Sequence, residues 1–201
     1  MITVEKQNLK MVNREVRDPT WTMFVGPMFG SKTTRLVAAI DRYRYQNKSI
    51  VVFKPKMDTR YEVAKITTHA GASLDAVCVS DGNEILQYVT QIMGDCDVVA
   101  VDEAFMIDGC ADALLHLFRS GISIVVSSLQ LSASGNSFFE VKEMMPWATK
   151  IEVCPAVCPM TGRDAFYTHR KMEGLDEITV GGSDLYEPRS WEHHNFMNQR
   201  K

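Results

Sequence analysis

The segment Gly26-Pro27-Met28-Phe29-Gly30-Ser31-Lys32-Thr33-Thr34 constrains the fold of this chain more than any other stretch. It follows a short apolar run of strand length, Trp21 to Val25, and precedes a helical period of Leu36, Val37, Ile40 and Tyr43. A glycine-rich turn that leads from a strand into a helix points successive backbone N–H groups at one concavity, which binds anions. The phosphate-loop pattern is G-x-x-x-x-G-K-[ST]. Gly26, Lys32 and Thr33 fit it, whereas Ser31 stands at the second glycine and Gly30 lies one residue earlier. Lys32 is expected to neutralise the β- and γ-phosphates of a nucleotide, and the Thr33 hydroxyl to ligate Mg²⁺. Met28, Phe29, Gly30, Ser31 and Thr34 complete the expected ATP-binding loop. A serine forced into the left-handed region costs about 1–2 kcal/mol, which lowers affinity without abolishing it. The plain alternative is a strand-to-helix turn with no ligand.

A loop of this kind needs an α/β framework, and the chain supplies one. Ser49–Phe53, Leu74–Val79, Val98–Val101 and Ile122–Val126 are apolar runs of strand length. Between them lie helical faces: Ile85, Leu86, Val89, Ile92 and Met93 behind an Asp81 N-cap, then Ala111, Leu114, Leu115 and Phe118 before Gly121. Alternation on this scale predicts βαβ units, and strands apolar on both faces predict a mainly parallel sheet covered by helices on both sides. The expected organisation is a polar arm over 1–20, a nucleotide-binding domain over 21–150, a small β subdomain over 151–192 and a polar tail over 193–201. In the third of these, Lys150–Val153 and Glu177–Val180 read as short strands around a loop rich in Pro, Gly and charge.

Lys plus Arg is 22 and Asp plus Glu is 25, a net charge of −3, so nucleic acid is not implied as a bulk partner. A hydrophobic share of 45% with 23% charged residues excludes wholesale disorder. No apolar run approaches the roughly 20 residues that span a bilayer, and no membrane partner is expected. The first residues lack an apolar signal region, and the five cysteines are odd in number and scattered. The expectation is a cytoplasmic chain with reduced thiols.

Asp102-Glu103 stands at the carboxyl end of an apolar strand, where open α/β sheets bind ligands. Asp102 there can hold Mg²⁺ through water, and Glu103 can serve as a general base. Capping of the next helix is the structural alternative, and the upstream phosphate loop favours the functional one.

Further segments accompany these in order: Lys54-Pro55 with Asp58-Thr59-Arg60-Tyr61, Thr67 to Gly71, Val101 to Phe105, Ala156 to Cys158, Arg163 to Arg170, and Val180 to Tyr186. With the phosphate loop they make the chain resemble the type II thymidine kinases, the class of vertebrate cytosol, bacteria, poxviruses and phages, from about Thr20 to His193. The resemblance implies a RecA-like phosphate-loop α/β fold with a small C-terminal lasso. It implies transfer of the ATP γ-phosphoryl group to the 5′-hydroxyl of thymidine or deoxyuridine in deoxynucleotide salvage. It assigns Glu103 and Arg60 to catalysis, the second as stabiliser of the transferring group. Asp58 joins Asp102 beside the phosphates and metal. Met28, Phe105, Leu129, Phe138, Thr179, Val180, Gly181 and Tyr186 surround the nucleoside. The resemblance also implies a homotetramer or dimer and feedback binding of thymidine triphosphate.

Besides Ser31, the chain departs from that pattern at two places. The family glutamine after Asp-Glu-[AG] is missing, and Phe105 follows Ala104. The family zinc cage of paired Cys-x-x-Cys or Cys-x-x-His retains only Cys158 and His193, because Thr161 and Ser190 fill the other places. Structural zinc takes four ligands, so the expectation is that zinc is lost. A rescued set of Cys154, Cys158, His193 and His194 is the alternative. These departures keep two further functions in view: a non-catalytic nucleotide-binding relative, and a kinase of a modified pyrimidine deoxynucleoside.

Overall fold

The computed structural model describes residues 18–58, 64–67, 71, 73–92, 96–172, 174, 176–195 and 197–198. Arg60, residues 1–17 of the expected arm and the end of the tail lie outside them.

Six strands form one parallel sheet. They are β1 (Trp21–Val25), β2 (Ile50–Pro55), β5 (Val77–Val79), β6 (Val98–Val101), β7 (Ser123–Ser128) and β8 (Lys150–Val153), arranged β5-β2-β6-β7-β1-β8. Alternate residues of the central strands go to opposite faces. Met23, Val25, Val99, Val101, Ile124 and Val126 pack with α2 (Gly82–Gln91), α3 (Cys110–Arg119) and α4 (Phe139–Met144). Phe24, Val98, Ala100 and Val125 pack with Leu36 and Ile40 of α1 (Lys32–Tyr45). Each core strand is therefore apolar along its length because it is covered twice. Asp81 caps α2 by accepting from the Asn83 and Glu84 N–H groups at 2.8 and 3.1 Å.

The sheet departs from the sequence expectations in two segments. The run expected as one strand over 74–79 breaks at Ala76. Ser73–Asp75 (β4) pairs antiparallel with Lys65–Thr67 (β3), and only Val77–Val79 joins the sheet. The Ala76 N–H donates to Ala64 O at 2.9 Å, which fixes the change of partner. Lys150–Val153 is not part of a separate β unit. It is the edge strand of the main sheet, paired with β1 from Thr22↔Lys150 to Val25↔Val153.

After β8 come two antiparallel pairs, β9 (Ala156–Val157) with β10 (Asp164–Ala165) and β11 (Tyr167–Arg170) with β12 (Tyr186–Arg189). Glu177–Val180 forms no strand; it belongs to the irregular segment between β11 and β12. Thr179 uses its hydroxyl on Asp176 O at 2.9 Å, and its carbonyl accepts the Tyr186 hydroxyl at 2.8 Å, so its polar groups are spent on local turns.

Candidate active site

The carboxyl ends of β1, β2 and β6 open on one cleft of about 740 Å³, its mouth included. Two glycines set the loop after β1 by close approach. A Cβ on Gly26 (φ 155) would lie 2.3 Å from Cys154 O, and one on Gly30 would lie 2.4 Å from the same oxygen. The left-handed position before Lys32 is taken by Ser31, at φ 57, ψ 24. The loop thus keeps the conformation the motif calls for, and the serine bears the strain of about 1–2 kcal/mol. Lys32 opens α1 and is buried, its Nζ donating back to Pro27 O at 2.6 Å.

Strand β7 separates β1 from β6, so the acidic group must reach across it. Asp102, just past β6, does so: Thr33 Oγ1 donates to its two carboxylate oxygens at 3.1 and 3.3 Å. Ser127, from the intervening β7, donates its hydroxyl to Asp102 Oδ1. The Asp102 N–H donates to Phe53 O at 2.9 Å, which ties it to β2 as well. Asp58 is buried at the same cleft. Thr33 and Asp102 meet at one point beside Lys32, a hydroxyl and a carboxylate of the kind that hold Mg²⁺ at the phosphates. Glu103 follows with a left-handed backbone, φ 51, ψ 44. Strain of this kind at a non-glycine residue collects at functional sites.

A second cavity of about 430 Å³ lies beyond Glu103. Met28 and Glu103 line both spaces. Its walls hold Phe105, Leu129, Phe138, Thr179, Gly181 and Tyr186, seven of the sequence-selected substrate residues once Met28 is included; Val180 is not among them. The Phe105 and Phe138 rings meet at a tilt of 39° with centroids 4.5 Å apart. The β11–β12 hairpin is fastened over the site, because the Met28 N–H donates to Thr168 Oγ1 at 3.0 Å. Its connecting segment is held at the far side by Glu177, which accepts from Asn136 Nδ2 at 3.2 Å. The Ser132 hydroxyl, then Asn136, Ser134 and Arg170, keep the Glu177 carboxyl below its ordinary range against a smaller opposing effect of burial.

The zinc candidates do not form one donor set. Cys154 lies in the core under α1, and Cys158 in a separate small cluster with Ala156 and Ala165. His194 Nε2 meets Thr168 O at 2.9 Å, and His193 faces Glu192 at 3.6 Å. Among the described residues no three His, Cys, Asp or Glu side chains form a metal-binding group. Burial raises the Cys158 thiol, but the N–H and hydroxyl of Ser190, the Thr161 hydroxyl and the Met160 N–H outweigh it and bring it down to about 6. The two residues that replace the expected ligands thus stand beside the remaining sulfur. One thiol with two hydroxyls is a poor zinc set.

Sequence reasoning missed Lys54, Ser127, Thr168, Arg170 and Glu177, which line or brace the two cavities. Ser127-Ser128 closing an apolar strand, and Lys54 closing another, were the available signals.

Parallel sheet, phosphate-loop turn and Thr33–Asp102 pair define a phosphate-loop-like α/β protein whose loop-lined cleft shares Met28 and Glu103 with a second, aromatic cavity. A family model described as thymidine kinase matches residues 20–194. The chain is 33% identical to a thymidine kinase of Pyrobaculum aerophilum over 86% of this chain and 96% of that protein. Identity is 32% to one of Pseudothermotoga lettingae, covering 82% and 89%, and 29% to one of Bacteroides thetaiotaomicron, covering 81% and 80%. The chain belongs to the thymidine kinase family.

Proposed function

We propose that this chain transfers the γ-phosphoryl group of ATP to the 5′-hydroxyl of thymidine. The carrying observation is the meeting of the two cavities at Glu103 and Met28. A triphosphate seated on the Gly26–Thr34 loop ends at Glu103, and a nucleoside seated between Phe105, Phe138 and Tyr186 presents its hydroxyl at the same residue. Lys32 and the loop N–H groups hold the phosphates, and Thr33 and Asp102 hold Mg²⁺. Mg²⁺, when bound, neutralises charge shared by the β- and γ-oxygens. The Glu103 carboxylate accepts the hydroxyl proton. Arg60, by its place in the family motif, stabilises the transferring group. The Tyr186–Thr179 and Glu177–Asn136 bonds close the lid and exclude water. The donor chemistry around Cys158 supports a C-terminal unit that closes without zinc. Homotetramer or dimer assembly, feedback by thymidine triphosphate and a cytoplasmic location rest on the family resemblance.

A radiometric assay with ATP, Mg²⁺ and thymidine tests the reading. Phosphate on the 5′-oxygen is expected, and nucleotide binding without turnover would support a non-catalytic relative instead. The Phe105–Phe138 wall, where the family carries a glutamine, favours running a panel of 5-substituted deoxyuridines alongside.

A further inference from the structure

Lys54 is a lysine the phosphate-loop pattern does not account for. It lies near the carboxyl end of β2 and lines the phosphate cleft, yet is only 2% exposed. Register places it beside the acidic strand. Phe53 pairs with Val101, and the Asp102 N–H donates to Phe53 O. Lys32 enters the same cleft from the loop after β1, and β6 and β7 lie between β1 and β2. The two lysines therefore reach the cleft from strands on either side of β6 and β7.

An ammonium carries three donors. The Lys54 Nζ gives one hydrogen bond, to Lys65 O at 3.2 Å, and no carboxylate of the described residues pairs with it. Burying an ammonium against a single neutral acceptor is unfavourable unless an anion arrives to complete its shell. The cleft is where an anion is expected, because its other wall is a helix N-terminus with a phosphate-loop lysine. The Lys65 contact adds a second consequence. Lys65 begins β3, so an anion bound to Lys54 is linked through one side chain to the β3–β4 hairpin.

We propose that Lys54 is a second phosphate-binding cation of the site, contacting the triphosphate chain of the phosphoryl donor from the β2 side and holding the β3–β4 hairpin beside it. The assignment rests on the reading of the cleft as a triphosphate site. Loss of one charge-assisted hydrogen bond corresponds to roughly ten- to hundredfold.

Lys54→Met keeps length and apolar volume and removes the charge. With thymidine saturating, it is expected to lower kcat/KM for ATP by roughly ten- to hundredfold while KM for thymidine stays within about twofold. Lys54→Arg is expected to recover part of the loss. A lower melting temperature with unchanged ATP kinetics would make Lys54 a structural anchor and overturn the assignment. Should Lys54→Met fail to fold, the wild-type chain decides. Its side-chain ammonium ¹H–¹⁵N resonance is followed during titration with tripolyphosphate, and it should shift together with that of Lys32. A Lys32 response with Lys54 unmoved, or no response from either, overturns the proposal. If thymidine is not phosphorylated but both resonances move, the kinase reading falls and the Lys54 assignment stands. If thymidine is phosphorylated and Lys54→Met keeps its ATP kinetics, the reverse holds.

Discussion

At the residue scale, three left-handed non-glycine residues line the cleft, Phe29, Ser31 and Glu103, and the last two stand directly beside Lys32 and Asp102. Those two make opposite predictions. Ser31 contributes backbone shape only, so Ser31→Gly should raise stability by about 1 kcal/mol in urea unfolding, the relieved strain less the entropy of a freer unfolded chain. It should also lower KM for ATP, and an unchanged or higher KM would show that the serine hydroxyl itself serves the nucleotide. Glu103 contributes a carboxylate at the junction of the cavities. Glu103→Gln should cut kcat by roughly 10²–10⁴-fold while leaving ATP affinity, read by calorimetry, within about twofold. Lys32, Thr33 and Asp102 were legible in the sequence because each belongs to a short motif whose spacing carries the geometry. Lys54 and Ser127 were not, because only the strand order β2-β6-β7-β1 brings Lys54 to the cleft and Ser127 to Asp102.

At the element scale, what the sequence hid were short pieces and changes of partner. Helix α4 has six residues, too few for a periodicity to show, and the strand-like run over 74–79 hid a break at Ala76. Yet α4 braces one wall of the aromatic cavity. Phe138 precedes it, and its buried Glu140 accepts from the Gly109 and Ala111 N–H groups at 2.9 and 2.7 Å. Those bonds hold the start of α3, and with it the turn that carries Phe105, against Phe138. Glu140→Ala leaves two buried donors unmet and should cost about 1–3 kcal/mol in urea unfolding, with KM for thymidine rising more than KM for ATP. Equal rises in both would mean a general loosening. The lid makes a cleaner case. Tyr186→Phe removes one hydroxyl bond to Thr179 O and keeps the ring. KM for thymidine should rise roughly two- to tenfold with kcat little changed; a KM that stays put would detach the 171–185 segment from substrate binding.

At the scale of the whole molecule, the C-terminal unit is held to itself and to the sheet by bonds among its own residues. Arg163 and Glu192 pair across its two turns, the Cys158 N–H donates to Arg163 O at 2.8 Å, and His194 meets Thr168 O. Thr168 in turn binds the phosphate loop through Met28. Chelation with 1,10-phenanthroline should therefore leave the melting temperature unchanged at pH 7. Acid should not be so neutral. Burial holds the His194 imidazole below its ordinary range, against the Thr168 carbonyl that favours its charged form, and nearby Arg189 works in the same direction as burial. His169, whose ring lies 6.1 Å from that of His194, is held down by burial and then by Arg189. The unfolded chain takes up these protons from about pH 6.5 downward while the folded chain resists, so more protons are bound unfolded and stability falls as pH drops below that value. Cys158 works in the same direction over a higher window. Its folded thiol titrates at about 6 against 9.0 unperturbed, so its contribution is complete above 9.0 and is lost as pH falls through about 6. The melting temperature should decline steadily from pH 9 to pH 5. Cys158→Ser should flatten the upper part of that decline, and His194→Gln the part below 6.5. If chelation lowers the melting temperature and erases the slope in the same step, a metal rather than these hydrogen bonds closes the unit.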